Sequence, residues 1–251
     1  MQDFILSTLT ELALIVPLLT IIGFLIYGWY ENAIRSDERD RESRLPLYNK
    51  TIMMLWGVAI VCVTGWFYSN RSLEALGLSW TEPGWRGWIA WGVVGFGFAY
   101  LVYSAITLTL SASARQQVRT QLSGADLDFM RPRTAIEHHR FKILSFTAGV
   151  TEEIIFRGFL IAVLSLFMPM VLAAIIAVTL FGIGHIYQGF AGIIHTSLIG
   201  GILTAIYLIG GSLWPAILVH ILIDLTAGVQ FQLIDRFEAH DNASGTSTLI
   251  I

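Results

Sequence analysis

Charge is scarce in this sequence. Lys, Arg, Asp and Glu make up 13% of 251 residues against 55% hydrophobic ones, and mean hydropathy is +0.68. A soluble domain of that composition would expose apolar surface on every side, so the chain reads as an integral membrane protein. Formal net charge is -3 and no basic arm interleaves with aromatic residues, which excludes nucleic acid as a partner. The single cysteine, Cys62, lies in an apolar run, so no intrachain disulfide can form, and a lone buried thiol is more often a small hydrophobe than a nucleophile. Familiar hydrolase and nucleotide signatures are missing too: there is no HExxH zinc helix, no GxSxG elbow and no P-loop. Gly92, Gly95 and Gly97 fall inside an apolar run and suit helix packing. No Lys or Arg precedes the first apolar run, which is therefore expected to be a retained anchor and not a cleaved signal peptide.

Long apolar runs are abundant. A window of about 19 residues predicts an all-α, polytopic transmembrane bundle of seven spans, near 9–29, 51–69, 87–110, 143–167, 169–186, 190–209 and 213–233. Lys and Arg concentrate between the first two spans and between the third and fourth, where Arg115, Arg119, Arg131, Arg133, Arg140 and Lys142 lie. The positive-inside rule then places the N-terminus outside and the C-terminus in the cytoplasm, with Trp80, Trp85, Trp88 and Trp214 at the outer interface. Ser72 to Gly84 is too short and polar to span and suits an interfacial turn. Thr134, followed three residues later by Glu137, fits a capping box that starts the fourth helix in the cytoplasm. His138 and His139 on its early turns are expected near water. The polar tail after Leu233 is expected to lack fixed structure.

Against this apolar background a few ionisable residues stand out. The fourth span carries Glu152, Glu153 and Arg157, and each charge at a membrane centre costs about 2.5 to 3.5 kcal/mol on insertion scales. Glu153 and Arg157, four apart on one helix face, explain each other as a salt bridge. Glu152 has no such partner, and an unpartnered intramembrane carboxylate is a functional-site hypothesis. The fifth span brings Phe181 and His185, four apart, with Gly182 and Gly184 allowing another backbone close. The sixth carries a small-residue stripe, Gly192, Thr196, Gly200 and Thr204, flanked by His195, which suits a core position better than catalysis. The seventh brings His220 and Asp224, where a carboxylate one turn away can orient an imidazole or share a metal with it. Counted along the spans, Glu152, His185 and Asp224 fall between the midplane and the cytoplasmic side. Such a set could activate a water toward a peptide carbonyl.

The three motifs, Glu152-Glu153-x-x-x-Arg157, Phe181-x-x-x-His185 and His220-x-x-x-Asp224, in the settings TAGVTEEIIFRGFL and GGSLWPAILVHILID, resemble the signature of the CPBP family of intramembrane proteases (CAAX-protease and bacteriocin-processing, also called ABI or type II CAAX prenyl endopeptidase). The similarity covers Pro132 to Gly228. The resemblance implies that Glu152 activates water, that His185 assists it or binds metal, that His220 with Asp224 binds metal or stabilises the oxyanion, and that Glu153 and Arg157 are a structural pair, with Phe181 a further supporting residue. It implies a membrane-associated peptide or protein substrate in the lipid bilayer, and the cell membrane of a bacterium as the setting. The family's last position is usually Asn; Asp224 adds a negative group, so a divalent cation, zinc first, on Glu152, His185, His220 and Asp224 stands beside a metal-free glutamate base. By this reading residues 1–131 are a variable N-terminal region, 132–234 the catalytic core and 235–251 a polar tail. The rival reading is a non-catalytic membrane protein, either a cation- or proton-coupled carrier or a scaffold for partner helices; no internal repeat of the transporter kind supports the first.

Overall fold

The computed structural model describes residues 2–34, 43–80, 84–124 and 128–243. They form a helical bundle: α1 (Gln2–Ile34), α2 (Leu45–Tyr68), α3 (Trp85–Leu110), α4 (Ala112–Gly124), α5 (Ala135–Glu152), a π-helical segment (Glu153–Leu160), α6 (Ile161–Leu164), α7 (Met170–Gly184), α8 (Gly189–Gly210) and α9 (Leu213–Ala243). Backbone polar groups in lipid must be satisfied within their own segment, which is why an apolar chain of this length resolves into helices. Among the described residues five stretches are long and apolar enough to cross a membrane: Leu12–Glu31, Leu45–Tyr68, Trp85–Leu110, Ile186–Gly210 and Leu213–Phe237.

Two of the seven expected spans take a different form. The fifth is α7, whose 15 residues extend about 22 Å, short of a hydrocarbon core of about 30 Å. The fourth is the continuous run α5, π segment and α6. This run is surrounded by protein more than by lipid: α5 packs on α2 and α9, and the π segment on α2, α7 and α9. Ile155, Phe156 and Phe159 are buried there among Val58, Cys62 and Trp66 of α2 and Ala177 and Phe181 of α7. Outward faces elsewhere are apolar, with Met53, Phe96, Phe190 and Leu198 exposed, as a lipid-facing surface requires.

The bundle has two unlike ends. At one, the 3-10 turn Leu73–Leu76 and its successors are tied to the start of α9: Leu213 N–H donates to Gly77 C=O at 2.7 Å, the Ser212 hydroxyl to Ser79 C=O at 2.7 Å, and the Trp214 indole to Leu78 C=O at 3.1 Å. Gly77 sits at φ 78, and a Cβ there would meet the Tyr207 ring at 2.5 Å, so this junction needs glycine twice over. Trp80 stacks on Trp214, their rings 5.8 Å apart, and Trp80, Trp85 and Trp88 are exposed at this end.

At the other end the expected capping box is present: Thr134 and Glu137 each accept the other's backbone N–H. Asp235 of α9 pairs with Arg131 and with His138, the latter at 3.3 Å. This corrects two expectations. His138 is buried against α9 and not left in water. The segment after Leu233 does not lose structure there either; α9 continues to Ala243, with Asp235 held as above and the Arg115 guanidinium 3.9 Å over the Phe237 ring. Residues 244–251 of the expected tail, and 35–42 of the first polar loop, lie outside the described residues.

Candidate functional site

The site begins with two close backbone approaches. A Cβ on Gly149 would lie 2.4 Å from the Ile221 side chain and 3.0 Å from its backbone nitrogen, so α9 crosses α5 one turn before the glutamates and delivers His220 beside them. A Cβ on Gly182 would lie 1.9 Å from the Ser197 hydroxyl, which lets α8 run close to α7. Small residues at such crossings do for a membrane bundle what larger side chains do in a soluble core.

Helical geometry changes where the charges are. Ile161 N–H bonds to Phe156 C=O, five residues back, and the wider turn runs over Glu153–Leu160, carrying both Glu153 and Arg157. Insertions of π geometry are uncommon and recur at functional sites. Here the segment turns Arg157 wholly inward. Its Nη1 donates to Glu153 Oε1 at 2.8 Å, its Nη2 to Gly200 C=O at 3.1 Å, and its Nε to the Thr204 hydroxyl at 3.3 Å. Its guanidinium stacks 4.2 Å from the Phe181 ring. The small-residue stripe on α8 is thus the seat of a buried cation. A Cβ on Gly200 would meet Phe181 at 2.8 Å and Arg157 Nη2 at 3.0 Å.

Glu153 has a second partner that its spacing with Arg157 does not reveal. Its Oε1 also accepts from His220 Nδ1 at 2.8 Å. His220 is therefore oriented by Glu153, from another helix, and not by Asp224 one turn away, whose Oδ2 stands 3.9 Å from Nε2. Nδ1 faces a carboxylate that also receives Arg157, so it carries a hydrogen and Nε2 points away from the pair. On that far side lies Glu152, its Oε2 3.8 Å from His220 Nε2. This oxygen is buried and has no hydrogen-bond partner among the described residues. The two neighbouring glutamates thus approach one imidazole from opposite edges.

His185 ends α7. Its Nδ1 lies 2.8 Å from Phe181 C=O, an acceptor, so Nδ1 carries the hydrogen and Nε2 presents a lone pair. Phe181 links the two imidazoles: its ring is 4.8 Å from that of His185 and 6.0 Å, edge-on, from that of His220. His195 is exposed on α8, away from this cluster. In the span Leu213–Phe237, His220 is in the first third from the tryptophan-bearing end and Asp224 near the middle. Both α5 and α9 need 15 residues, about 22 Å, to go from the His138–Asp235 contact to the Glu153–His220 contact.

Among the described residues no group of three or more His, Cys, Asp or Glu side chains is drawn together tightly enough to form a ready-made metal cage. The arrangement does present two imidazoles and two carboxylates around one region. Residues 139–226 match a family model described as type II CAAX prenyl endopeptidase Rce1-like, a description that belongs to CAAX-type membrane proteases. No curated protein and no solved structure matches the chain. The matched stretch contains all three motifs, from Glu152 to Asp224.

Proposed function

We infer, from residues 139–226 being an Rce1-like domain, that the protein is an intramembrane endopeptidase whose nucleophile is a water held between Glu152 and His220. One observation carries this reading: Glu152 Oε2 is buried, takes no hydrogen bond from any of the described residues and stands 3.8 Å from His220 Nε2. Buried polar atoms are nearly always satisfied, so an orphan asks for a ligand. A water about 2.8 Å from each of the two atoms fits that separation.

The chemistry follows from the fixed groups. Glu152 takes a proton from the water while its oxygen bonds to the peptide carbonyl carbon and the carbonyl electron pair moves onto oxygen. Collapse breaks the C–N bond, and the proton held on Glu152 passes to the leaving amine, giving one carboxyl and one amine product. Glu153, held by Arg157, keeps the His220 ring in the tautomer that presents Nε2 to the reacting centre. His185 presents its Nε2 lone pair for the same reason, its other nitrogen being engaged by Phe181 C=O.

By residue type the donor set also suits a divalent cation, which would have to draw the side chains closer than they stand. Imidazoles that ligate zinc usually donate their other nitrogen to a carboxylate or carbonyl, as His220 and His185 do here. Glu152, His185, His220 and Asp224 would hold it, and zinc so placed would act as a Lewis acid toward the carbonyl. For orientation, the arginine-bearing end of the bundle lies in the cytoplasm and the tryptophan-bearing end outside, by the positive-inside rule. The substrate is a membrane-associated peptide or protein, reached within the bilayer.

The test is amino-terminal proteomics on membranes of cells carrying either the wild type or the Glu152→Gln variant. New termini seen only with the wild type support the reading and name the substrate, prenylated or not. Identical termini in both would remove Glu152 as the base. Loss of cleavage on chelation, with recovery on adding zinc, assigns the cation; indifference to chelator assigns the metal-free base.

A further inference from the structure

Three carboxylates surround one imidazole. Glu153 Oε1 lies 2.8 Å from His220 Nδ1, while Glu152 Oε2 and Asp224 Oδ2 lie 3.8 and 3.9 Å from Nε2. Among the described residues the basic groups that pair with these acids are Arg157, on Glu153, and His220 itself. Even with His220 protonated, two positive charges face three ionised carboxylates, and one negative charge is left over. Two oxygens of the set, Glu152 Oε2 and Glu153 Oε2, are also buried without a hydrogen-bond partner among the described residues. Negative charge in excess is costly inside a bilayer and marks a place where a ligand acts.

Asp224 is the member of this set that a ligand reaches most easily. Its side chain is 33% exposed, against 13% for Glu152, 8% for His220 and none for Glu153. Its neighbour Ile223 is exposed as well, whereas Val219 and His220, one turn earlier on α9, are buried. At 3.9 Å its contact with His220 is too long for a hydrogen bond, and no other described residue pairs with it. Both oxygens of Asp224 therefore keep their accepting capacity. The residues around it on α9, Ile221, Leu222, Ile223 and Leu225, are apolar, and in such surroundings a carboxylate attracts a positive group far more strongly than it does in water.

We propose that Asp224 receives the positive side chain, Lys or Arg, of a substrate residue close to the scissile bond. The substrate then supplies the charge that the three carboxylates lack, and a peptide with an acidic residue at the same place is repelled. This rests on the hydrolytic reading, and the experiment separates the two. Wild type, Glu152→Gln, Glu152→Gln/Asp224→Glu and Glu152→Gln/Asp224→Asn are reconstituted in nanodiscs and given internally quenched apolar peptides in which one position at a time holds Lys, its neutral counterpart norleucine, or Glu. Cleavage by wild type gives kcat/KM, and fluorescence anisotropy on the Glu152→Gln proteins gives Kd without turnover. At one position wild type is expected to favour Lys over norleucine at least about tenfold in kcat/KM, with Glu poorest. Glu152→Gln should bind in the same order, Asp224→Glu should keep that order, and Asp224→Asn should bring the Kd values for Lys and norleucine together. Equal treatment of Lys and norleucine at every position overturns the role of Asp224 alone, as does a Lys preference that survives Asp224→Asn or a zinc ion found on Asp224. Binding in the expected order by a protein whose wild type cleaves nothing overturns the hydrolytic reading and leaves the cation subsite standing. Neither cleavage nor binding of any peptide overturns both.

Discussion

Two glutamates on one helical run, Glu137 and Glu152, are treated in opposite ways. Glu137 is 1% exposed and fully occupied: backbone N–H groups of Arg44, Arg133 and Thr134 donate to it at 2.7, 2.8 and 3.1 Å, and the Ser43 hydroxyl at 3.2 Å. Burial pushes its carboxyl up, but these donors more than offset that and hold it below the usual glutamate range. Glu152 has an oxygen with no partner. Glu137 joins segments with both oxygens filled, whereas Glu152 joins nothing and keeps a buried oxygen open beside the His220 imidazole. The contrast distinguishes a fastening from a reagent without appeal to residue type.

Substitutions should separate the two kinds. Glu152→Gln is expected to have the largest effect, lowering cleavage by about 10² to 10⁴ while the protein still elutes folded on gel filtration. Undiminished cleavage would erase the contrast from one side. Glu153→Gln or Arg157→Ala should next reduce folded yield, since removing one member of a buried pair costs about 3 to 5 kcal/mol. Wild-type melting in both would mean that the pair is not structural. Gly200→Ala pushes a methyl into Phe181 and Arg157 and should cost about 1 to 3 kcal/mol, read as a lower melting temperature.

Glu137→Ala is the smallest change, about 0.5 to 2 kcal/mol as for other lost caps, with activity per folded molecule unchanged. Because the folded carboxyl lies below its unfolded value, its contribution is complete above the ordinary glutamate pKa and is lost as pH falls through the folded one. The melting gap between wild type and Glu137→Ala should therefore be full at neutral pH and narrow below about pH 4. A gap that widened in acid would show that Glu137 is not held as its contacts imply.

Much of this was legible beforehand because membrane helices make ionisable residues rare. Glu152, Arg157, His185, His220 and Asp224 could be picked out singly, and four-residue spacing paired Glu153 with Arg157. The Thr134–Glu137 box was readable because capping is local. What escaped was non-local. No pattern marks the change to π geometry at Glu153, since the apolar residues around it continue unbroken. The Glu153–His220 bond joins residues 67 apart in sequence, and the nearer candidate, Asp224, was the natural choice. Gly200 and Thr204 looked like packing residues because their work is done by a carbonyl and a hydroxyl aimed at a distant arginine. Counting spans by apolarity also overlooked that the central run is sheathed by other helices. The reach of α9 past Leu233 was hidden because Asp235 and Phe237 find their partners, Arg131, His138 and Arg115, in distant segments.

The most direct measurement is a high-resolution density map of the wild type in a lipid nanodisc, read at the Glu152–His220 gap. The account predicts density for a water or a cation touching Glu152 Oε2 and His220 Nε2 together. A Glu152 side chain turned to lipid, or an apolar group wedged between it and His220, would contradict it.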